Sequence, residues 1–317
     1  MLTALTFATA LIVGLLVTPI VRHFAYGLDL LDQPGGRKIH QAPIPRLGGV
    51  AMVLAFGIAI ALSTFASPDL GGTAGLRPNR MLAILLAAGL LFVVGVLDDI
   101  RGMRASIKLA FQVAAAFLAW ALGLSIERLH LPWGIVELGA LALPITMIWI
   151  VGVINAVNLI DGLDGLASGV VLTVLGAFGL LAAADGVDPT LLVVAAMVGA
   201  AIGFLAYNLH PASIIMGDAG SMFLGFTVAA VAISLTQDGV SPVAPWVPIV
   251  ALGLPIVDTA WAVIRRTARG DAVFAPDSGH IHHQLLRRGL SQRDAMLSLT
   301  AVSAALAILA VLIARLD

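Results

Sequence analysis

The stretch Val151-Gly-Val-Ile-Asn155-Ala-Val-Asn158-Leu-Ile-Asp161-Gly162-Leu163-Asp164-Gly165 decides the reading of this chain. An apolar run long enough to cross a bilayer ends in polar residues at every third position: 155, 158, 161 and 164. If the segment is helical, this spacing sets them on one stripe. The two Asp-Gly pairs then break the helix and turn the chain. A bare turn between two spans has no need of two asparagines in the preceding span. Polar and ionisable groups at membrane depth are costly, rare and usually functional.

Outward from this stretch the chain is apolar almost throughout. Of 317 residues, 60% are hydrophobic and 11% charged; the mean hydropathy is +1.04. A soluble domain carries roughly 25% charged residues. A membrane helix needs about 20 apolar residues, and the chain supplies such runs repeatedly. The sequence predicts an all-α, polytopic membrane protein with ten spans, near 3–24, 47–67, 80–98, 107–125, 138–157, 166–184, 189–208, 220–236, 244–265 and 294–315. Residues 1–317 read as one transmembrane domain, with no repeat or soluble linker. The first apolar run lacks a basic leader and is long enough to span, so it reads as an anchor rather than a cleavable signal. The absence of cysteine excludes disulfides, thiolate metal sites and a cysteine nucleophile. No nucleic-acid partner is expected.

Lysine and arginine set the expected orientation. The connectors after spans one, three, five, seven and nine hold thirteen of the 17 basic residues; Arg77, Arg80, Arg128 and Arg315 lie elsewhere. The first face is therefore read as cytoplasmic, with both termini outside. Three more polar clusters fall on it: Asp98-Asp99, Gly217-Asp218-Ala219-Gly220-Ser221 and His280-Ile-His282-His283. A one-span error in the count would scatter these clusters over both faces.

Each cluster suggests a chemistry. Asp98 and Asp99 close a helix, where the partial charge is negative and acids are unwelcome; they call for a metal or nearby bases. Lys108 follows at the mouth of the next span, with Gln112 one turn on. Oxygen donors from Asp and Asn suit a hard cation such as Mg²⁺ or Mn²⁺. Gly217 and Asp218 open a helix whose N-terminal N–H groups welcome an anion; an aspartate there also serves as a cap. The histidines sit in an arginine-rich connector and read as a phosphate or nucleotide grip. The first basic connector, with Arg37, Lys38, His40 and Arg46, has the same character. Asp258 lies three residues after Pro255, inside the ninth span, either acting directly or paired with Arg265 or Arg266. Acids, bases and glycine-bounded turns on one face imply a phosphate-rich soluble substrate and a metal; the apolar remainder implies a lipid co-substrate. Phosphoryl transfer needs little else than positioning, a metal and cations for developing charge.

With these motifs in hand, the chain resembles the polyprenyl-phosphate N-acetylhexosamine-1-phosphate transferases, the superfamily of WecA, TagO and MraY. The matches are Asp98-Asp99 with Lys108, Asn155-x-x-Asn158-x-x-Asp161-Gly-x-Asp164-Gly, Met216-Gly217-Asp218-Ala219-Gly220-Ser221, His280-Ile-His282-His283 and Arg37-Lys38-Ile-His40. Together with the ten spans they cover nearly the whole chain. The resemblance implies that undecaprenyl phosphate attacks the β-phosphorus of a UDP-N-acetylhexosamine in the bacterial inner membrane. UMP leaves, and a lipid-linked sugar pyrophosphate for envelope glycans remains. It implies Mg²⁺, with Mn²⁺ a substitute, at Asn158 and Asp218. Asp98 and Asp99 take lipid-phosphate activation or metal support, Asp98 being favoured as base or orienter. Lys108 contacts phosphates, and Asp161 and Asp164 lie near uridine and metal. Arg37, Lys38, His40, Asn155, Gly217, His280, His282 and His283 are assigned to substrate binding. A homodimer is compatible with the resemblance.

Two departures select a branch. The peptidoglycan enzymes have three consecutive histidines and a first loop reading Lys-x-Gly-Thr-Pro-Thr-Met-Gly-Gly. Here the motif is His-Ile-His-His, and the loop is Gln41-Ala-Pro-Ile-Pro-Arg-Leu-Gly48-Gly49. Both favour the WecA/TagO side and UDP-GlcNAc as donor over UDP-MurNAc-pentapeptide. An ion-coupled transporter is the alternative of another class; the placement of the acids at span ends speaks against it.

Overall fold

The computed structural model describes residues 1–35, 42–66, 78–185, 188–237, 243–270 and 279–316. The chain is mostly helical, in the order α1 (Leu2–Gly27), α2 (Gly48–Ala66), α3 (Pro78–Arg101), α4 (Ala105–Ala121), α5 (Ala142–Ile160), α6 (Leu166–Asp185), α7 (Asp188–Asn208), α8 (Gly217–Gln237), α9 (Trp246–Ala251), α10 (Gly253–Arg269), α11 (Ile281–Arg287) and α12 (Gln292–Ala314). Among the described residues eight of these are long and apolar enough to cross a membrane: α1, α2, α3, α5, α6, α7, α8 and α12. The chain is a polytopic membrane protein.

Helix α8 is the axis of the bundle. Its residues Ala219–Thr236 are all buried, and a helix that is apolar all round belongs inside. Helices α3 and α5 make its largest packing faces, with α2, α6 and α7 completing the enclosure. Close packing is densest at its N-terminus. A Cβ added at Gly49 of α2 would lie 2.1 Å from the Gly220 nitrogen, and one at Gly95 of α3 would lie 2.4 Å from the Ala219 Cα. This crowding brings the C-terminal end of α3, with Asp98 and Asp99, against the start of α8.

Three features depart from the sequence reading. The span expected at 244–265 is two helices, α9 and α10, meeting at Leu252. Pro255 has no N–H to donate to the preceding turn, and Gly253 tolerates the bend. The span expected at 107–125 is a shorter apolar helix, Ala105–Ala121. The fold is not wholly α-helical. Antiparallel strands β1 (Leu31–Asp32) and β2 (Ile44–Pro45) bracket the first basic connector. Strands β3 (Arg128–Leu131) and β4 (Gly134–Glu137) form a hairpin with a two-residue turn. Gln237, at the end of α8, accepts from the N–H groups of Glu127 and Arg128 and donates to the Arg128 carbonyl. The hairpin thus sits at the end of α8 opposite Asp218, roughly 30 Å away at 1.5 Å per residue.

Candidate active site

The site grows from the N-terminus of α8. Gly217 has φ +71°, and a Cβ there would stand 2.5 Å from both the Arg46 carbonyl oxygen and an Asp99 carboxylate oxygen. Only glycine meets both demands without strain. Beyond it, the Asp218 N–H donates to Asp99 Oδ1 at 2.8 Å and the Ala219 N–H to Asp99 Oδ2 at 3.1 Å. Asp99 is therefore the cap of α8. The acid that a helix C-terminus disfavours faces the positive end of another helix instead. Its side chain is fully enclosed. Asp99, expected from sequence to be catalytic, is thus engaged with the backbone at the start of α8.

Asp98 points the other way. Its Oδ1 accepts from the Met103 N–H at 2.6 Å, and its Oδ2 lies 3.1 Å from Lys108 Nζ. The same ammonium is 2.5 Å from Asp218 Oδ2. Lys108 thus bridges two carboxylates from different helices. Asn158 Nδ2 donates to Asp218 Oδ1 at 3.3 Å and to Ser221 Oγ at 2.8 Å. Among the described residues, carboxylate oxygens of Asp98, Asp99 and Asp218 lie within 4.8 Å of one another. Asp99 already accepts two backbone N–H groups, so Asp218, Asp98 and the Asn158 side-chain oxygen remain as donors. An all-oxygen set fits a hard divalent cation. A lysine ammonium between Asp98 and Asp218 shows that this spot accepts positive charge.

Beside this cluster opens a cavity of about 340 Å³, lined by Asn158, Asp161, Asp164, Gly217, Asp218 and His283 among others. Asp161 ends α5 as its C-cap. Burial, with the negative charges of Asp218, Asp99 and Asp164, pushes its carboxyl up to about 8. A cation in the cavity would relieve that repulsion. Asp164 accepts from the Ala212 N–H at 3.1 Å and pairs with His210 Nδ1 at 2.8 Å. Asn155 is turned away: its amide donates to Gln112 Oε1 at 2.6 Å and to the Val151 carbonyl at 2.8 Å, tying α5 to α4. It lies outside the cavity lining, unlike the substrate contact expected for it.

The histidines divide by role. His280 Nδ1 pairs with Asp258 Oδ2 at 2.8 Å, and the Ile281 N–H donates to Asp258 Oδ1 at 2.9 Å. Asp258 thus fastens the start of α11 to α10; of the two alternatives read from the sequence its contacts fit a structural one, with these partners and not Arg265 or Arg266. His282 is 2% exposed and packs on the 158–165 turn: a Cβ on Gly162 would lie 2.2 Å from its Nε2. Burial and the neighbouring imidazoles push His282 down to about 4, so it stays neutral. Only His283 of the three lines the cavity. Arg37, Lys38 and His40 lie outside the described residues.

Three cavity-lining residues carry no role in the sequence reading, Asp32, Asn208 and Gln292; Arg46, of the first basic connector, lines the cavity as well. Asn208 accepts from the Gly165 N–H and donates to the Ile214 carbonyl, joining the two loops that form the cavity floor. A polar residue at the end of an apolar span was the available signal, the same one that marked Asn158.

The family described as glycosyl transferase family 4 matches residues 81–236. A probable undecaprenyl-phosphate N-acetylglucosaminyl 1-phosphate transferase of Bacillus subtilis (strain 168) is 36% identical over 293 residues, covering 92% of this chain and 79% of the relative. The decaprenyl-phosphate N-acetylglucosaminephosphotransferase of Mycolicibacterium smegmatis is 36% identical over 319 residues, covering 93% and 78%. The undecaprenyl-phosphate alpha-N-acetylglucosaminyl 1-phosphate transferase of Salmonella typhimurium is 31% identical over 300 residues, covering 91% and 77%.

Proposed function

The chain belongs to the polyprenyl-phosphate N-acetylglucosamine-1-phosphate transferases of glycosyl transferase family 4, and from that premise we propose that it transfers GlcNAc-1-phosphate from UDP-GlcNAc to undecaprenyl phosphate. An oxygen of the lipid phosphate attacks the β-phosphorus of the donor. The bond from that phosphorus to the bridging oxygen breaks, UMP leaves with the electron pair, and a lipid pyrophosphoryl sugar remains. The relatives' names favour this donor over UDP-MurNAc-pentapeptide.

The observation that carries the reading is the meeting of Asp98, Lys108, Asn158 and Asp218 in one cluster, of which Asn158 and Asp218 line the cavity. These residues come from four helices and share no local sequence. Asp98, at the edge of the cluster, orients the lipid phosphate or takes its remaining proton. Lys108 supplies positive charge that can pass from the two carboxylates to a phosphate. Asp218 and Asn158, with Asp98, would hold Mg²⁺ or Mn²⁺. When bound, such an ion neutralises charge on the phosphate oxygens. Asp161, Asp164 and His283 face the donor side of the cavity.

The proposed placement is a bacterial inner membrane, crossed ten times, with the site on the cytoplasmic face and both termini opposite. Support comes from the excess of basic residues on that face. It also comes from the alternation of the helices, since α3 and α5 end at the site while α4, α8 and α12 start there.

The test is UMP release by the purified protein in nanodiscs. UDP-GlcNAc with undecaprenyl phosphate should release UMP; either substrate alone, or UDP-MurNAc-pentapeptide with the lipid, should not. Release from the pentapeptide donor alone would overturn the assignment.

A further inference from the structure

Arg46 follows strand β2 and is held rigidly. Its N–H donates to the Leu30 carbonyl, and its neighbours are pinned to the segment before Asp218: the Ile215 N–H donates to the Pro45 carbonyl, and the Gly48 and Gly49 N–H groups to the carbonyls of Ile215 and Met216. Arg46 lines the cavity. There it lies between two carboxylates, with Nη1 3.5 Å from Asp32 Oδ1 and Nη2 3.7 Å from Asp99 Oδ1. Both separations exceed the 2.7–2.9 Å of a charge-assisted hydrogen bond. The pairs therefore hold the group electrostatically and leave its N–H donors uncommitted. Its Nε is buried without a hydrogen-bond partner.

The lining of the cavity sharpens this. It carries the carboxylates of Asp32, Asp164 and Asp218, and among the described residues Arg46 is its one permanent cation. A space so charged repels a nucleotide diphosphate unless cations intervene. The lining comes from loops and helix ends rather than from helix flanks, so its occupant enters from water.

We propose that Arg46 binds the phosphate oxygens of the donor, its fork held in plane by Asp32 and Asp99 so that the free N–H groups face the cavity. The inference rests on the transferase reading and adds the residue that meets the donor's charge. A planar fork matches two phosphate oxygens, and a lysine replaces the charge without the fork. Asp99 then has a double part, capping α8 and orienting Arg46, so that the donor and Asp218 are placed by one carboxylate.

The experiment is two-substrate kinetics of UMP release in nanodiscs, with UMP as product inhibitor. Arg46→Lys should raise the donor KM and the UMP inhibition constant together, by about tenfold to a hundredfold. The acceptor KM should stay within about twofold, and kcat within about threefold. A donor KM and UMP inhibition constant equal to wild type would overturn the inference; so would a rise confined to the acceptor KM. If Arg46→Lys does not fold, Arg46→Gln decides. It keeps a polar side chain of comparable reach and removes the charge, so the donor KM must rise at least about tenfold; no rise overturns the inference. A wild-type protein that releases no UMP would overturn the transferase reading itself, and this inference with it. An active wild type whose Arg46 variant keeps its donor KM would overturn this inference alone.

Discussion

The carboxylate of Asp99 accepts the backbone N–H of Asp218 at 2.8 Å. An aspartate at the end of one helix thus holds the start of another, and with it the aspartate proposed to ligate metal. Asp98, its neighbour in sequence, instead meets Lys108. The pair divides into a residue that builds the site and one that faces it.

The division has a measurable consequence. Asp99→Asn should lower stability by about 1–2 kcal/mol, through loss of a charged cap. Asp98→Asn keeps an acceptor for the Met103 N–H and should melt closer to wild type. It should lose kcat by at least about a hundredfold with little change in donor KM. Thermal melts and steady-state kinetics of the two variants check this. Identical behaviour in both measurements would remove the division.

Chelation should abolish turnover, and added Mg²⁺ or Mn²⁺ should restore it. Asp218→Ala should not be rescued by either ion, because the remaining donors, Asp98 and Asn158, come from α3 and α5 and lose the α8 carboxylate between them. UMP release assayed in excess chelator gives the answer: sustained activity would end the metal proposal.

Much of this was readable beforehand because membrane burial makes polar residues conspicuous. Asp98, Asn158, Asp161 and Asp218 stand out against apolar neighbours, and span counting places them on one face. Pairings were less readable, because they join residues far apart in sequence. Asp32 looks like an ordinary loop charge, and its pairing with Arg46 of the basic connector is hidden, until the strands β1 and β2 bring them together and Ile215 pins the loop to the segment before α8. His210 looks like a loop histidine until α7 brings it to Asp164. Asp258 and His280 are separated by a connector, and nothing in their spacing announces the contact. The hairpin was hard to read, because Pro132-Trp133 between Arg128–Leu131 and Gly134–Glu137 is not one of the Asn-Gly or Asp-Gly type pairs that mark a two-residue turn. The break at Leu252 was signalled by Gly253 and Pro255, outweighed in the reading by continuous hydropathy.

The histidine motif should separate by position. His283 lines the cavity, so His283→Ala should raise the donor KM several-fold with a melting temperature near wild type. Asp258→Asn should do the reverse at first order, lowering the melting temperature because it loosens the start of α11. A thermal melt beside a donor titration distinguishes them. A stable Asp258→Asn protein would show that the contact is dispensable.

Acid should destabilise the protein through His282. Burial pushes this histidine down to about 4, while an unfolded histidine titrates near 6.5. Between those values the unfolded chain binds the extra proton, so stability falls as pH drops from about 6.5 to about 4 and levels off below. The shift corresponds to about 3 kcal/mol. His282→Gln should flatten this part of the profile. Melting temperatures of both proteins between pH 7.5 and 4.5 test it; parallel profiles would show that His282 is not responsible.

Gly162 and His282 should be coupled. A methyl group at residue 162 would be placed 2.2 Å from His282 Nε2, with the ring's other atoms close behind. Gly162→Ala must therefore push α11 off the 158–165 turn or shift the turn that carries Asp161 and Asp164. Either movement disturbs His283 and the cavity wall, so donor KM should rise and the melting temperature should fall. His282→Ala alone removes the ring and leaves a space. Combined with Gly162→Ala, it takes away the collision, so the double variant should be less impaired than the two single losses added together. Contacting residues show interaction energies of about 0.5–3 kcal/mol in such cycles. The measurement is a four-protein thermal and kinetic cycle in one lipid composition. Additive losses would mean that the histidine segment does not rest on the Asp161–Asp164 turn in solution, and the placement of His283 at the donor would lose its support.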